Sequence, residues 1–141
     1  MKKLAILGAG DLGQQITNQV IQDQQYEVVG YFDDFRKIGE VVHGIAVLGG
    51  IEDVQGLYDQ GVFEQLLIGV GYKHLFSRRE LFERFQGSIP FGRFIHSSCI
   101  VDQKSEIAEG VVIFPGCVID YQVKIEENVL INVGCCIAHD S

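Results

Sequence analysis

The sequence predicts an α/β domain built on a parallel sheet, followed by a parallel β-helix. Three observations carry that prediction. Short apolar runs alternate with amphipathic stretches from Lys3 to Phe85. A glycine-rich turn, GAGDLG at residues 8–13, joins the first apolar run to the first amphipathic stretch. From Ile95 to Ser141 the chain repeats every six residues.

The first run, Lys3 to Leu7, is short and apolar and reads as a strand. Ile16, Val20 and Ile21 then recur at helical spacing, predicting a helix up to about Gln24. A second strand, Glu27 to Phe32, ends in Asp33 and Asp34. Gly8, Gly10 and Gly13 therefore form GxGxxG directly after a strand and at the start of a helix, with an acidic residue twenty positions beyond Gly13. Glycines there let the backbone approach a pyrophosphate, whose charge meets the unsatisfied N–H groups of the helix start. The carboxylate at the end of the second strand can accept a hydrogen bond from a ribose hydroxyl or a base. A dinucleotide and a nucleotide sugar both fit, and so does a turn that merely packs helix on strand.

The alternation continues with a strand at Ile45–Leu48, a helix at Ile51–Tyr58 and a strand at Gln65–Val70. A helix from about His74 to Phe85 is expected to turn Leu75, Leu81, Phe82 and Phe85 inward and Arg78, Arg79, Glu80 and Glu83 to solvent. Three or four parallel strands with helices between them make a small Rossmann-like domain, residues 1–90, bounded by the turn at Ser88, Ile89 and Pro90. His43 and His74 have no assignable role.

The second part, residues 91–141, is a hexapeptide array. Ile or Val opens each block at Ile95, Val101, Ile107, Ile113, Ile119, Ile125, Ile131 and Ile137, and a small or β-branched residue follows four positions on, from Cys99 and Ser105 to Cys135 and Ser141. Buried residues four apart suit a short strand with outward residues between them. Six residues make one face and a corner, and three faces make a coil of eighteen. Ile95, Ile113 and Ile131 should then stack, as should Cys99, Cys117 and Cys135. His96 reads as structural entry to the first coil. Forty-seven residues give about 2.7 coils, an incomplete helix without the end cap that a solenoid requires.

Bulk properties restrict the function classes. A net charge of −8 and a pI near 4.8 argue against a general nucleic-acid or anionic-membrane surface. No apolar run reaches the length of a spanning helix, and glycines with Asp11 break the N-terminal run, so no signal peptide is expected and the chain is placed in the cytoplasm. The four cysteines lack CxxC spacing, and adjacent Cys135 and Cys136 should face opposite ways. They are expected to fill space rather than bind a metal.

The succession GAGDLG, VGYFDD, GIAVLGG and FIHSSCIV, running into hexapeptides and INVGCCIAHDS, resembles the bacterial sugar O- and N-acetyltransferases of the sialic-acid acetyltransferase type. These include the enzymes acting on UDP-linked 4-amino sugars. The resemblance covers essentially the whole chain. It implies a Rossmann-like domain that binds a nucleotide sugar, a left-handed β-helix, acetyl-CoA as co-substrate, no metal and a homotrimer. It also implies His139 as general base toward the sugar amine or hydroxyl, Asp140 as its orienting partner or a substrate contact, and Asn132 as a sugar-positioning residue. Gly8, Gly10, Gly13, Asp33 and Asp34 would line the nucleotide pocket. Histidine titrates near neutral pH, which suits such a base; without the resemblance, His139 is an ordinary corner residue. In the family, acetyl-CoA binds between neighbouring subunits on coils that follow, so this chain is expected to lack most of that site. Two other classes stay open on the residues alone: an NAD(P)-binding module and a non-catalytic nucleotide-sugar-binding protein.

Overall fold

The structure is a computed structural model and describes residues 1–71, 75–139 and 141. The chain forms two compact units, Met1–Gly92 and Arg93–Ser141.

The first unit is a five-stranded sheet in the order β3-β4-β2-β1-β5. Strand β1 (Lys2–Leu7) lies between β2 (Tyr26–Phe32) and β5 (Gln65–Ile68), parallel to both, with Leu7 opposite Phe32 and Ile68. Strand β4 (Ile45–Gly49) extends the sheet beyond β2, again parallel. The chain thus winds outward through β2 and β4, then returns to the other side of β1 as β5. That reversal opens a crevice at the carboxyl ends of β1 and β5, where ligands of open α/β sheets bind.

One strand escaped the sequence pattern. Val41–Val42 forms β3, antiparallel to β4, with Val42 opposite Ile45. His43 and Gly44, at φ 48° and 83°, make the two-residue turn between them. Two positive φ angles in succession match the right-handed twist of a hairpin. His43 is therefore a turn residue. The crossover segments are α1 (Asp11–Gln22), a 3-10 turn (Ile51–Asp53) leading into α2 (Val54–Asp59), and α3 (Leu75–Phe85). Helix α1 stops short of Gln24 because that residue turns to φ 54°, while the N–H groups of Asp23 and Gln24 bond back to Gln19 and Ile21.

One face of the sheet presents Ala5, Leu7, Phe32, Leu66 and Ile68 to Val54, Phe63, Phe82 and Phe85. Phe32 meets Phe63 edge-on at 5.6 Å between ring centroids, an arrangement favoured by the ring quadrupoles. Residues past the Ser88–Pro90 turn stay with this unit. Leu66 N–H donates to the Pro90 carbonyl, Gly92 N–H donates to Leu66, and Phe91 packs 4.7 Å from Phe82.

The second unit is a triangular parallel β-helix of two-residue strands. These are β6 (Phe94–Ile95), β7 (Ile100–Val101), β8 (Glu106–Ile107), β9 (Val112–Ile113), β10 (Val118–Ile119), β11 (Lys124–Ile125), β12 (Leu130–Ile131) and β13 (Cys136–Ile137). They make three sheets, β6-β9-β12, β7-β10-β13 and β8-β11. Ile113 pairs with both Ile95 and Ile131, so residues eighteen apart superpose as the period requires. The core holds Val111, Ile113, Cys117, Ile119, Val123, Ile125 and Ile131, flanked by Ile95, Cys99, Val101, Ile107, Val129, Cys135 and Ile137. Each buried aliphatic side chain contributes roughly 1.5 to 3 kcal/mol of transfer free energy.

Three of the small residues four places into a block do more than fill space. Cys99 Sγ donates to the Phe114 carbonyl at 3.1 Å, Ser105 Oγ to Asp120 at 2.5 Å and Cys117 Sγ to Asn132 at 2.9 Å, each reaching fifteen residues ahead into the next coil. A short donor at this corner therefore satisfies a turn carbonyl of the neighbouring coil, which a buried carbonyl requires. Burial pushes the Cys117 thiol up from its ordinary pKa, against the opposing effect of a backbone hydrogen bond from Cys135.

Cys117 is 1% exposed, whereas Cys136 is exposed on the outer face. In native protein, iodoacetamide is expected to alkylate Cys136 first and Cys117 last, read by peptide mass spectrometry; fast labelling of Cys117 would contradict the packing. The folded state holds the Cys117 proton and unfolding releases it, so stability should fall as pH rises past the thiol range. Melts between about pH 8 and pH 10 should show a larger drop for wild type than for Cys117→Val.

Candidate functional site

The glycine turn occupies the crevice between β1 and β5, and its three glycines have three different reasons. Gly8, at φ +104°, leaves β1 in a conformation that a side chain disfavours. A Cβ on Gly13 would lie 1.9 Å from the Gly8 carbonyl oxygen, and one on Gly69 would lie 2.6 Å from Gly13 Cα. Helix α1, β1 and the end of β5 thus meet backbone to backbone. Gly10 differs, because a Cβ there would meet nothing within 4 Å. Among the described residues no neighbour requires a glycine at that place, and the space in front of it is open.

Gly10 also caps α1, with no side chain accepting from the helix start. The first N–H bonded within the helix is that of Gln14, which donates to Gly10. The preceding amides of the first turn carry the partial positive charge that attracts an anion. Asp11 in that turn is exposed and stabilises the helix through the same dipole.

Asp33 and Asp34 both bind backbone. Asp33 accepts from Ala9 N–H at 2.9 Å through Oδ2 and from Phe35 N–H at 2.8 Å through Oδ1. It thereby pins the glycine turn to the loop after β2. Asp34 Oδ1 accepts from Ile51 N–H at 2.8 Å, and a Cβ on Gly50 would lie 2.5 Å from that oxygen. Each carboxylate oxygen has a second lone pair for a ligand. The sequence reading missed their primary work, which is to fasten three loops around the carboxyl edge of the sheet.

Arg78 corrects a second expectation. Instead of facing solvent it is 5% exposed, and Nη1 donates to the carbonyls of Ile68 at 3.1 Å and Val70 at 2.7 Å. The signal was present: Arg78, Phe82, Phe85 and Ile89 recur at helical spacing, which places Arg78 on the apolar face of α3. Its charge thus sits behind the segment whose Gly69 carbonyl and Val70 methyl approach Gly8. Arg79, by contrast, is exposed as predicted, and it pairs with Glu83.

In the β-helix, Asn132 and His139 are exposed at successive turns of the third coil, after β12 and β13. The Asn132 carbonyl is occupied by the Cys117 thiol and by Cys135 N–H at 3.4 Å, leaving the amide side chain for other partners. Asp140 and His74 lie outside the described residues, as does the side chain of Leu75. Among the described residues, no group of three or more His, Cys, Asp or Glu could hold a metal ion, and no helix is long and apolar enough to cross a membrane.

The glycine geometry predicts opposite outcomes for two similar substitutions. Gly13→Ala forces backbone apart and is expected to cost about 3 kcal/mol, lowering the melting temperature by roughly 10 °C or more. Gly10→Ala should melt within about 2 °C of wild type, because its methyl meets no neighbour. Equal melting temperatures for the two variants would refute this division of roles.

Comparison with known proteins agrees with this architecture. The family model described as the PglD N-terminal domain matches residues 3–85. No curated protein sequence matches. Among solved structures, a histidine-substituted perosamine N-acetyltransferase from Caulobacter crescentus, in complex with CoA and GDP-perosamine, superposes with a TM-score of 0.84 at 22% identity, over 98% of this chain and 63% of that one. The acetyltransferase domain of PglB from Neisseria gonorrhoeae gives a TM-score of 0.86 at 22% identity, over 99% and 66%. In complex with acetyl coenzyme A, that domain gives 0.82 at 23%, over 99% and 65%. The chain therefore spans about two thirds of the length of these neighbours, and at such identity the likeness shows the fold: a Rossmann-like domain followed by a left-handed parallel β-helix. With more than half of its residues matched by the family model, the chain belongs to the PglD N-terminal domain family.

Proposed function

We propose that this chain serves the transfer of an acetyl group from acetyl-CoA to an amino group of a nucleotide-linked sugar, in cytoplasmic bacterial surface-glycan biosynthesis. The observation that carries the proposal is the pairing of the two units. A glycine turn with open space before Gly10 precedes a hexapeptide helix, and the same pair of folds occurs in enzymes solved with CoA and GDP-perosamine. Family membership of residues 3–85 supports it independently.

In this scheme the first unit takes the nucleotide. The diphosphate lies at the start of α1 in front of Gly10, where unbonded amides meet its charge. Gly8 and Gly13 permit the turn, and Asp33 and Asp34 hold its rim. His139 acts as general base. The sugar amine attacks the thioester carbonyl carbon, His139 takes the proton that the nitrogen loses, the C–S bond breaks as the amide forms, and His139 passes that proton to the departing sulfur so that CoA leaves as its thiol. Asp140 orients the imidazole and Asn132 positions the sugar, roles assigned by resemblance of the INVGCCIAHDS motif. An assembly of subunits, a homotrimer in the resembling enzymes, finds support in one outer face of the β-helix. Ile100, Val118 and Cys136 stack there in register and are exposed, whereas another outer face carries Glu106 and Lys124.

Calorimetry with UDP- and GDP-linked 4-amino sugars is expected to record binding. In a thiol-release assay on a chain extended by the coils that carry the CoA site in the resembling enzymes, His139→Ala should lower acetyl transfer at least tenfold while leaving sugar-nucleotide affinity within about twofold. Near-wild-type turnover would remove His139 from the base role. Binding of NADH with none of the sugar nucleotides would replace the proposal with a dinucleotide module.

A further inference from the structure

The loop after β2 holds an aromatic ring for which the fold has no use. Phe35 is 98% exposed. The backbone beneath it is tightly held: Phe35 N–H donates to Asp33 Oδ1 at 2.8 Å, Glu40 N–H to Lys37, Gly39 N–H to the Val47 carbonyl at 2.8 Å, and Arg36 pairs with Glu40 at 2.7 Å. A fixed backbone carrying a fully solvated phenyl ring retains exposed apolar area without any packing return.

Its position suggests the return. One carboxylate links it to the glycine turn, since the Asp33 oxygen opposite the Phe35 bond accepts from Ala9 N–H at 2.9 Å. The carboxyl edge of β2 is where the nucleoside of a ligand extends when its phosphates lie at the start of α1. Every nucleobase presents a π-face that an aromatic ring can stack on, whatever its hydrogen-bond pattern.

We propose that Phe35 is the stacking platform for the nucleobase of the nucleotide sugar. This rests on the nucleotide-binding function proposed above and adds the residue that binds the base. Phe35 contributes affinity through the base, while the glycine turn contributes through the phosphates.

The test exploits the absence of tryptophan from the sequence. Phe35→Trp makes a single-tryptophan protein whose emission reports contact at this position. UDP and GDP should quench it saturably, and ribose 5-phosphate should not. By calorimetry, Phe35→Ala should bind UDP and GDP at least roughly fivefold more weakly, and Phe35→Trp within about threefold of wild type. Because the ring is solvated, both variants should melt with the parent. Wild-type affinity in Phe35→Ala overturns the stacking role alone. Failure of the wild-type chain to bind either nucleotide overturns the nucleotide function and this role with it. Ile38 and Val41 are also exposed, at 72% and 64%. A change of sedimentation in Phe35→Ala with unchanged nucleotide affinity would assign the ring to a protein contact instead.

Discussion

Three glycines in mutual contact hold the first unit together. The Gly8 carbonyl oxygen, Gly13 Cα and Gly69 lie closer than any side chain would allow. This contact lets α1 leave the sheet edge at once and lets β5 return beside β1. The crevice between them is thus a product of close packing and not a gap in it. The loops around the crevice depend on the same geometry, because Asp33 can reach Ala9 only while the turn lies flat on the strand end. Arg78 completes the arrangement from behind by binding two carbonyls at the end of β5. A buried guanidinium is costly unless its donors are satisfied, and strand-end carbonyls are well suited to do so.

The second unit depends on repetition instead. Each coil rests on the one before through superposed isoleucines and through corner donors that reach the next turn. Local stability is then additive along the helix axis, as in other solenoids. Fixed turns recur at the corners: Gly116 and Gly134, eighteen residues apart, are left-handed at φ 78° and 72°, and Gly110 is matched by Asn128 at 60°. Gly, then Asn, are the residues that accept this conformation most readily.

Much of this was legible because it is periodic or punctuated. Helical and sixfold spacing located α1, α3 and every strand of the β-helix, and GxGxxG between a strand and a helix located the crevice. What stayed hidden depends on contacts between residues distant in sequence. Asp33 and Asp34 were recognisable as acids at a strand end, but not as acceptors for Ala9, Phe35 and Ile51. Arg78 was misassigned because charge outweighed position in the reading of α3. Val41–Val42 was too short to declare itself, and His43-Gly44 is not one of the dipeptides that usually mark a two-residue hairpin. The thiol and hydroxyl donors looked like small filler because their acceptors lie fifteen residues ahead.

The eighteen-residue superposition also sets which changes of length the β-helix can absorb. Inserting eighteen residues adds a whole coil and keeps every column in line, core and surface alike. Inserting six between Ile100 and Val118 preserves the inward isoleucines but rotates all that follows by one face, so that Val118 would leave Ile100 and stack on Glu106 instead. Any number that is not a multiple of six exposes the core. Growth and shrinkage by duplication are therefore quantised in this unit, and surface identity is a stricter quantum number than burial.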